Sequence, residues 1–230
     1  MNGTGARAVL RRAVLAAPLA ASLALSLAAS APARAATTWV ADPARSRLTF
    51  VATQSGGEFQ GRFSRFRADI AFDPRDLAAS RFHVTIETAS ADTGDETRDQ
   101  ALVGDDFFAT GRWPAATYDA SRFVATTGGR YQAQGRLTIR GISRDVAVVF
   151  SFRPVADGRS AALAGGTTIR RLDFGVGQGE WQDTKWIGND VRIEFELVLE
   201  PGTERAGATR GQAAPTPGQP TAAVLKPGAA

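Results

Sequence analysis

The sequence predicts an all-β protein, an antiparallel barrel or sandwich of about eight strands with one short α-helix. Three observations support this fold class. Apolar and polar residues alternate with a period of two over most of residues 37–200, short turn motifs separate these stretches, and one segment alone has a helical pattern. Strands at this spacing joined by tight turns favour antiparallel pairing over parallel strands connected by helices.

The alternating stretches place their apolar residues on one face of each expected strand. In the segment RFHVTIE, the side chains of Phe82, Val84 and Ile86 share a face, and polar residues lie on the other. The same alternation predicts these further inward residues: Leu48, Phe50, Ala68, Ile70, Phe72, Leu137, Ile139, Val146, Val148, Phe150, Phe152, Val191, Ile193, Phe195, Leu197 and Leu199. Each stretch is typical of a half-buried strand.

Turn residues and one helix connect the expected strands. The turn motifs are DPRD from Asp73, TTGG from Thr126, RGISRD from Arg140 and ADGRS from Ala156. The segment DETRDQALVG is typical of a helix of about two turns. Asp95 or Thr97 is expected to cap its first turn, and Gly104 to end it.

Both ends of the chain differ in composition from residues 37–200. Residues 1–35 have a basic start, an Ala/Leu-rich run and a terminal Ala-Arg-Ala, which together predict a cleavable signal peptide. A retained membrane anchor is the alternative, because the apolar run approaches the length of a span. Residues 201–230 are rich in Ala, Gly, Pro and Thr, which predicts a flexible tail. We therefore expect a periplasmic or secreted protein with its folded domain at residues 37–200.

The charge distribution argues against a nucleic-acid partner. The chain has 27 basic and 23 acidic residues and a net charge of +4. Four arginines and no acidic residue lie in the first 36 residues, so the 23 remaining basic residues balance the 23 acidic ones. Nucleic-acid binding requires a basic patch on the folded domain. The absence of cysteine also excludes disulfides, a thiolate nucleophile and cysteine metal sites.

No motif predicts catalysis. His83, the single histidine, falls on the polar face of its strand and is expected at the surface. The acidic segment DTGDETRD allows calcium or paired carboxylates, but capping and turn formation account more simply for Asp92, Asp95 and Asp99. The segment FGVGQGEW is similar to a dinucleotide glycine loop, yet no helix follows it, which favours bulges or close backbone approach. We expect no enzyme activity, metal or cofactor.

The sizes of the inward residues leave the nature of the interior open. An eight-stranded barrel is wide enough either to be filled by side chains or to hold one slender ligand. Large inward residues such as Phe50 and Ile70 alternate here with small ones such as Ala52 and Ala68. The pattern is compatible both with a hollow tube and with a tapering packed core.

A longer pattern resembles a known family. The segment DTGDETRDQALVGDDFFATGRWPAATY, followed by GRLTIRGISRDVAVVF and RLDFGVGQGEW, resembles the YceI-like family of polyisoprenoid-binding proteins. The opening strands are similar too, so the resemblance spans Trp39 to about Leu199. It implies a lipocalin-like antiparallel barrel, usually exported, with an isoprenoid chain in its cavity and no established enzymatic activity. The Ala/Pro-rich tail and the Trp before Pro114, where Tyr or Phe is usual, depart from the family pattern.

The resemblance leads to a functional hypothesis. We expect an exported protein that sequesters or carries a polyisoprenoid, either a quinone or a polyprenyl lipid, which is a ligand and not a cofactor. A stress-related periplasmic scaffold with a packed core and a lipid-headgroup enzyme are the alternatives. Trp181 and Trp186 suit either transient contact with a membrane surface or ordinary packing. The oligomeric state is open, with a homodimer as one option.

The ligand-contact residues are predicted from the inward faces and from the aromatic residues after the helix. Phe107 and Phe108 are expected to fold over one end of the barrel, and Trp113 to line its rim; the alternative is that these rings seal a dry barrel. The predicted contacts are Phe50, Phe63, Ile70, Phe82, Val84, Ile86, Phe107, Phe108, Trp113, Tyr118, Leu137, Ile139, Val148, Phe150, Phe174 and Trp181.

Overall fold

The structure, a computed structural model, describes residues 37–155 and 159–202. The predicted signal peptide, the start of the predicted turn at Ala156 and the tail beyond Gly202 lie outside the described residues. The strands are β1 (Thr38–Ala41), β2 (Arg47–Gln54), β3 (Gly57–Phe63), β4 (Phe66–Ala71), β5 (Arg81–Glu87), β6 (Ala91–Asp92), β7 (Ala115–Ala125), β8 (Tyr131–Ile139), β9 (Ile142–Pro154), β10 (Ala161–Arg170) and β11 (Asp190–Pro201), and the α-helix is α1 (Glu96–Val103).

These strands form one antiparallel sheet that closes into a barrel. β4, β5, β7, β8, β9, β10 and β11 pair in that order, and β1 pairs with both β4 and β11 to close the ring. β2 pairs with the same edge of β11 as β1, β3 pairs with β2, and β6 pairs with β3. β1 and β2, β3 and β4, and β5 and β6 are thus halves of three interrupted strands. The barrel therefore has eight strands, each beside its neighbour in sequence, which confirms the predicted fold class.

Side-chain hydrogen bonds preserve the barrel wall where β1 and β2 separate. Ser46 is buried, and its Oγ accepts a hydrogen bond from the backbone N of Val198 at 3.0 Å. The backbone N of Asp42 donates to the carbonyl of Val198 at 2.8 Å. The strand can bend here because both peptide groups of β11 at this point still have partners.

Helix α1 has the caps that the sequence predicts. Asp95 Oδ1 accepts a hydrogen bond from the backbone N of Arg98 at 3.0 Å, and Glu96 and Asp99 add negative charge to the first turn. At the other end, the backbone N of Gly104 donates to the carbonyl of Ala101 at 3.0 Å. The capping prediction is therefore confirmed for Asp95, whereas Thr97 lies one residue inside the helix.

A packed aromatic cluster fills one end of the barrel. Its centre is Phe72, of which 1% is exposed. Five rings from β5, β7, β8 and β9 surround it edge-on or tilted, at centroid distances of 5.0 to 6.0 Å. The members of this aromatic cluster are Phe72, Phe82, Phe123, Tyr131, Phe150 and Phe152. Edge-to-face packing of this kind leaves no path for a chain through this end.

The last strand extends slightly beyond the predicted domain boundary. Pro201 pairs with Trp39, and the backbone N of Gly202 donates to the carbonyl of Thr38 at 2.8 Å. These two residues, which the sequence assigns to the tail, are therefore bonded into the barrel. Within the described ranges, no helix is both long and apolar enough to cross a membrane.

Candidate ligand-binding cavity

A cavity of about 360 Å³ occupies the half of the barrel opposite the aromatic cluster. This volume falls within the ~300–1,000 Å³ of small-molecule sites. The cavity wall consists almost entirely of apolar side chains from the inward faces of the strands. Of the two interiors that the sequence allows, the structure thus has a packed end and a hollow end.

Small inward side chains account for the hollow half. Ala52, Ala68 and Ala116 lie on inward faces and line the cavity. They occupy positions where larger residues would project toward the axis of the barrel. The packed half instead contains the six rings of the aromatic cluster, which fill the interior there.

Most of the predicted contact residues line this cavity. They are Phe50, Phe63, Ile70, Phe82, Val84, Ile86, Phe107, Phe108, Tyr118, Leu137, Ile139, Val148 and Trp181. Phe82 belongs both to the cavity wall and to the aromatic cluster, so it marks the boundary between the two halves. Whether these side chains bind a ligand remains a prediction.

Three predicted contact residues lie elsewhere. Phe150 is fully buried within the aromatic cluster, behind the cavity. Phe174 is 2% exposed in the turn that follows β10 and does not border the cavity. The ring of Trp113 contacts the guanidinium groups of Arg112 and Arg140, at 4.5 and 5.1 Å, and does not line the cavity. Alternation along a strand identifies an inward side chain but not its depth in the barrel.

Other lining residues were not predicted as contacts. From the later strands these are Val146, Leu163, Thr167, Ile169, Val191, Ile193, Phe195 and Leu197. Alternation predicts that five of them, Val146, Val191, Ile193, Phe195 and Leu197, point inward, so the same pattern could have identified them as lining residues. Val176 and Ile187 also line the cavity, but they come from the irregular segment after β10, where no sequence period indicates their direction.

Aromatic side chains cover the hollow end. Phe107 is buried, and its ring lies 5.7 Å from that of Trp181. Phe108 is half-buried and packs edge-on against Phe63 at 6.0 Å. These contacts connect the segment after α1 with β3 and with the segment after β10. The adjacent phenylalanines of the sequence thus form part of the cover over the cavity.

Arg171 fixes the rest of this cover. It is 4% exposed and lines the cavity, yet it forms no salt bridge within residues 37–155 and 159–202. Its guanidinium instead donates to backbone carbonyl oxygens at 2.7 to 2.9 Å, those of Val176, Trp181, Ile187 and Gly188. Burial lowers the pKa of this guanidinium. The hydrogen bonds tie the segment 176–188 into one arched cover over the barrel end.

Gly177 is required by this arrangement. A Cβ at this position would lie 1.9 Å from Nη1 of Arg171, and its φ of +86° lies in the left-handed region. Close approach, as predicted from the missing helix, thus holds for Gly177, whereas Gly175 and Gly179 have positive φ with no atom nearer than 3.4 Å to a Cβ. Two 3-10 turns, Arg171–Phe174 and Gly179–Gln182, occupy the region.

A small polar rim borders the cavity beside α1. The guanidinium of Arg98 lies 4.1 Å from the ring centroid of Phe59, and its Nε donates to Gln54 Oε1 at 3.1 Å. Asp95 approaches the same guanidinium to 3.7 Å. Arg98, Gln54 and Asp95 contribute polar groups to this edge of the cavity, whereas the rest of the wall is apolar.

The tyrosine of the cavity wall offers only its ring. The hydroxyl of Tyr118 lies 3.2 Å from the carbonyl oxygens of both Ala133 and Val146, to which it donates. Burial raises the pKa of Tyr118 above its ordinary range. Because its hydroxyl proton is already bonded to backbone, Tyr118 remains a neutral, largely apolar surface toward the cavity.

The remaining titratable candidates have structural roles. His83 is exposed on β5, and its Nδ1 lies 2.6 Å from Asp119 Oδ1. Asp92 accepts a hydrogen bond from the backbone N of Gly94, and Asp99 accepts from the backbone N of Thr93. Across residues 37–155 and 159–202, no three His, Asp or Glu side chains are grouped as metal ligands.

A closed eight-stranded antiparallel barrel with an apolar internal cavity defines a lipocalin-like binding protein. Within that class, residues 39–199 match the YceI-like domain, and the chain belongs to this family. A UPF0312 protein of Vibrio parahaemolyticus is 26% identical over 162 residues, which cover 68% of this chain and 82% of that protein. A UPF0312 protein of Shewanella oneidensis is 28% identical over 164 residues, with the same shares covered.

Solved structures share the fold. BcnA of Burkholderia cenocepacia is 34% identical with a TM-score of 0.65, covering 69% of this chain and 98% of that one. The YCEI protein of Campylobacter jejuni is 26% identical with a TM-score of 0.54, and the match covers 62% of this chain and 85% of that one. A polyisoprenoid-binding domain of Saccharophagus degradans, implicated in plant cell wall breakdown, has a TM-score of 0.58. The match covers 73% of this chain and 99% of that domain. At 16% identity, that domain is similar in fold alone.

Proposed function

We propose that this protein binds the chain of an isoprenoid lipid, a quinone or a polyprenyl species, in its barrel cavity and sequesters or carries it. The observation that supports this most directly is the apolar hollow of about 360 Å³ closed at one end by the aromatic cluster. A blind apolar tube suits a slender hydrocarbon chain that enters lengthwise, and poorly suits a compact polar substrate.

Burial of the hydrocarbon is sufficient to drive this binding. At about 0.8 kcal/mol per buried carbon, each five-carbon prenyl unit contributes up to about 4 kcal/mol. Two or three units then offset an association cost of about 4 to 15 kcal/mol without any charged contact. We accordingly expect the affinity to increase with chain length until the cavity is full, and the protein to act as a binder without catalysis.

The comparisons motivate the choice of lipid. The Saccharophagus degradans domain of the same fold is described as polyisoprenoid-binding, and family membership extends over the whole barrel. The location of the protein is part of the proposal. The Ala/Leu-rich leader at residues 1–35 supports export to the periplasm or the medium, where a carrier shields a lipid from water during transfer.

We also propose transient contact with a membrane surface. Trp186 is 62% exposed, the largest exposed aromatic side chain of the described residues. It lies next to Ile187, a residue of the cavity wall, and its carbonyl accepts a hydrogen bond from the backbone N of Ser55 in the β2–β3 turn. An indole at this end of the barrel suits the interface between water and acyl chains.

Native mass spectrometry of protein purified without detergent tests the binding proposal. We expect an adduct whose mass corresponds to an isoprenoid lipid. Ala52→Phe, which adds a ring inside the cavity, should abolish the adduct, whereas Ala162→Phe on the exposed face of β10 should retain it. An adduct-free protein that also fails to take up added prenylquinone would instead support the scaffold alternative.

A further inference from the structure

The barrel wall is incomplete between β9 and β10 at the hollow end. The two strands pair from Ala161 opposite Pro154 to Gly166 opposite Val149, and there the ladder stops. Beyond this point β10 continues to Arg170 paired with β11 alone, and β9 runs back to Ile142 paired with β8 alone. We call the space between Ile142–Val148 of β9 and Thr167–Arg170 of β10 the lateral gap.

Two adjacent glycines explain why the ladder stops. A Cβ on Gly165 would lie 2.2 Å from the carbonyl oxygen of Val149, and one on Gly166 would lie 2.4 Å from that of Ile193. β10 is thus compressed between β9 and β11 at this point, which only glycine permits. After the glycines, β10 follows β11 and diverges from β9.

The lateral gap opens directly into the cavity. Val146 and Val148 on β9, and Thr167 and Ile169 on β10, flank it and line the cavity. The outward residues on the two sides, Ala147 and Thr168, are exposed, and the turn Arg171–Phe174 packs against β9 only at the end of the gap, near Ile142. Its borders are therefore apolar on the inside and accessible to solvent on the outside.

Among the described residues, a single side-chain hydrogen bond spans the lateral gap, at the end next to Gly166. Thr167 Oγ1 donates to the carbonyl of Ala147 at 2.8 Å. From this bond to the start of β9, the two strands can move further apart without breaking a backbone hydrogen bond between them. An exposed hydrogen bond of this type makes only a small net contribution to stability, because water can replace it, so its loss adds little to the cost of widening the gap.

The other routes into the cavity are more obstructed. The aromatic cluster fills one end. At the covered end, access requires release of the four carbonyl groups that Arg171 holds, or passage of the hydrocarbon beside Arg98, Gln54 and Asp95. A charged guanidinium bonded to several carbonyls is costly to displace, and polar groups are poor contacts for a prenyl chain.

We propose that the isoprenoid chain loads and leaves sideways through the lateral gap between β9 and β10, with Thr167 as its clasp. This inference rests on the proposed function, because it specifies the route to the same cavity. A sideways route suits transfer from a bilayer, since the hydrocarbon passes along the inward side chains of Val146, Val148 and Ile169 without threading under the cover.

Reversible cross-linking of paired cysteines tests the route, because the chain has no native cysteine. Continuation of the register places Thr168 opposite Ala147, so Ala147→Cys with Thr168→Cys allows the gap to be bridged by short bis-methanethiosulfonate linkers. The matched control is Arg153→Cys with Ala162→Cys, an exposed pair on the same two strands within the intact ladder. Linking is verified by mass, and reduction returns each protein to its unlinked state.

Transfer of a short prenylquinone from phosphatidylcholine vesicles is followed by quenching of tryptophan fluorescence. We expect the linked gap pair to load and release the quinone at least about tenfold more slowly, with its equilibrium affinity within about twofold of the reduced form. The linked control pair should exchange at the unlinked rate. Equal rates for the linked and reduced gap pair would overturn the route while leaving the binding proposal intact; no quinone binding by the unmodified protein would overturn both.

Substitution of the clasp gives an independent test. Thr167→Val keeps the side-chain shape but removes the donor, and should raise the loading and release rates together by about threefold or more. Thr167→Ser keeps the hydroxyl and should exchange more slowly than Thr167→Val, which assigns the faster exchange to the lost hydrogen bond. If neither rate rises in Thr167→Val, even though the affinity changes, Thr167 only lines the cavity. The proposal that its hydrogen bond holds the gap closed is then wrong.

Discussion

The ring of Phe108 packs edge-on against the ring of Phe63, with centroids 6.0 Å apart and planes inclined by 62°. This contact connects the segment after α1 to strand β3 across the covered end of the cavity. Both rings line the cavity, and Phe108 is only half-buried. Phe108 therefore contributes more to the cavity surface than to the packed interior.

Phe108→Ala should weaken lipid retention more than it lowers stability. Its half-buried ring accounts for about 1–2 kcal/mol of unfolding free energy, whereas removal of a ring that contacts the ligand shortens retention directly. Phe123→Ala is the matched change in the aromatic cluster, and it should cost about 3–5 kcal/mol while sparing retention. Urea unfolding and lipid release by native mass spectrometry measure the two effects. The opposite ranking would indicate that Phe108 is a hydrophobic plug.

Gly177→Ala should destabilise the protein by about 2–4 kcal/mol, because it adds both left-handed backbone strain and overlap with Arg171. The guanidinium cannot move aside without losing its hydrogen bonds to backbone carbonyls. Gly111→Ala is the control, since a Cβ there meets nothing within 4 Å, and it should change the unfolding free energy by no more than about 0.5 kcal/mol. Equal urea midpoints for the two variants would contradict the assigned role of Gly177.

The exposed ion pairs predict a loss of stability in acid. Arg62, Arg65 and Arg45 lower the pKa of Asp92, Glu87 and Asp42, respectively, below the ordinary 3.8 for Asp and 4.5 for Glu. A carboxylate with a depressed pKa in the folded state stabilises the protein above its unfolded pKa, and this contribution is lost as the pH falls through the folded value.

The urea midpoint should consequently stay level down to about pH 5 and decrease below about pH 4. Arg62→Met should shift the titration of Asp92 upward toward its ordinary value, as measured by the carboxyl chemical shift. An unchanged Asp92 titration in Arg62→Met would show that the pair, although 2.7 Å apart in the structure, does not interact in solution.

The two tryptophans near the covered end should respond to different ligands. Trp181 lines the cavity against Phe107, so a bound quinone should quench its emission. Trp186 is exposed, so phosphatidylcholine vesicles should shift its emission to shorter wavelength. Trp181→Phe should remove most of the quinone response and Trp186→Phe the vesicle response. Absence of any vesicle-induced shift in the unmodified protein would exclude membrane contact by Trp186.

The strand pattern predicted the fold because alternation is a local property. Phe82, Val84 and Ile86 point inward in the structure, as their spacing requires, and Asp95 and Gly104 terminate α1 where their chemistry predicts. Because alternation is local, it did not predict how deep in the barrel each inward side chain lies. Phe150 alternates as regularly as Phe82, but it lies at the packed end, because its depth depends on strand tilt and register and not on the residues beside it.

The sequence by itself determined the all-β class, the helix caps and the apolar face of each strand, since these depend on residues within one or two turns of each other. Only the tertiary structure decided which half of the interior is hollow, that Arg171 donates to four carbonyl groups of residues 176–188, and that the β9–β10 ladder stops at Gly166. These features depend on strand register, strand tilt and packing between segments, and a spacing rule within one segment contains no information about them.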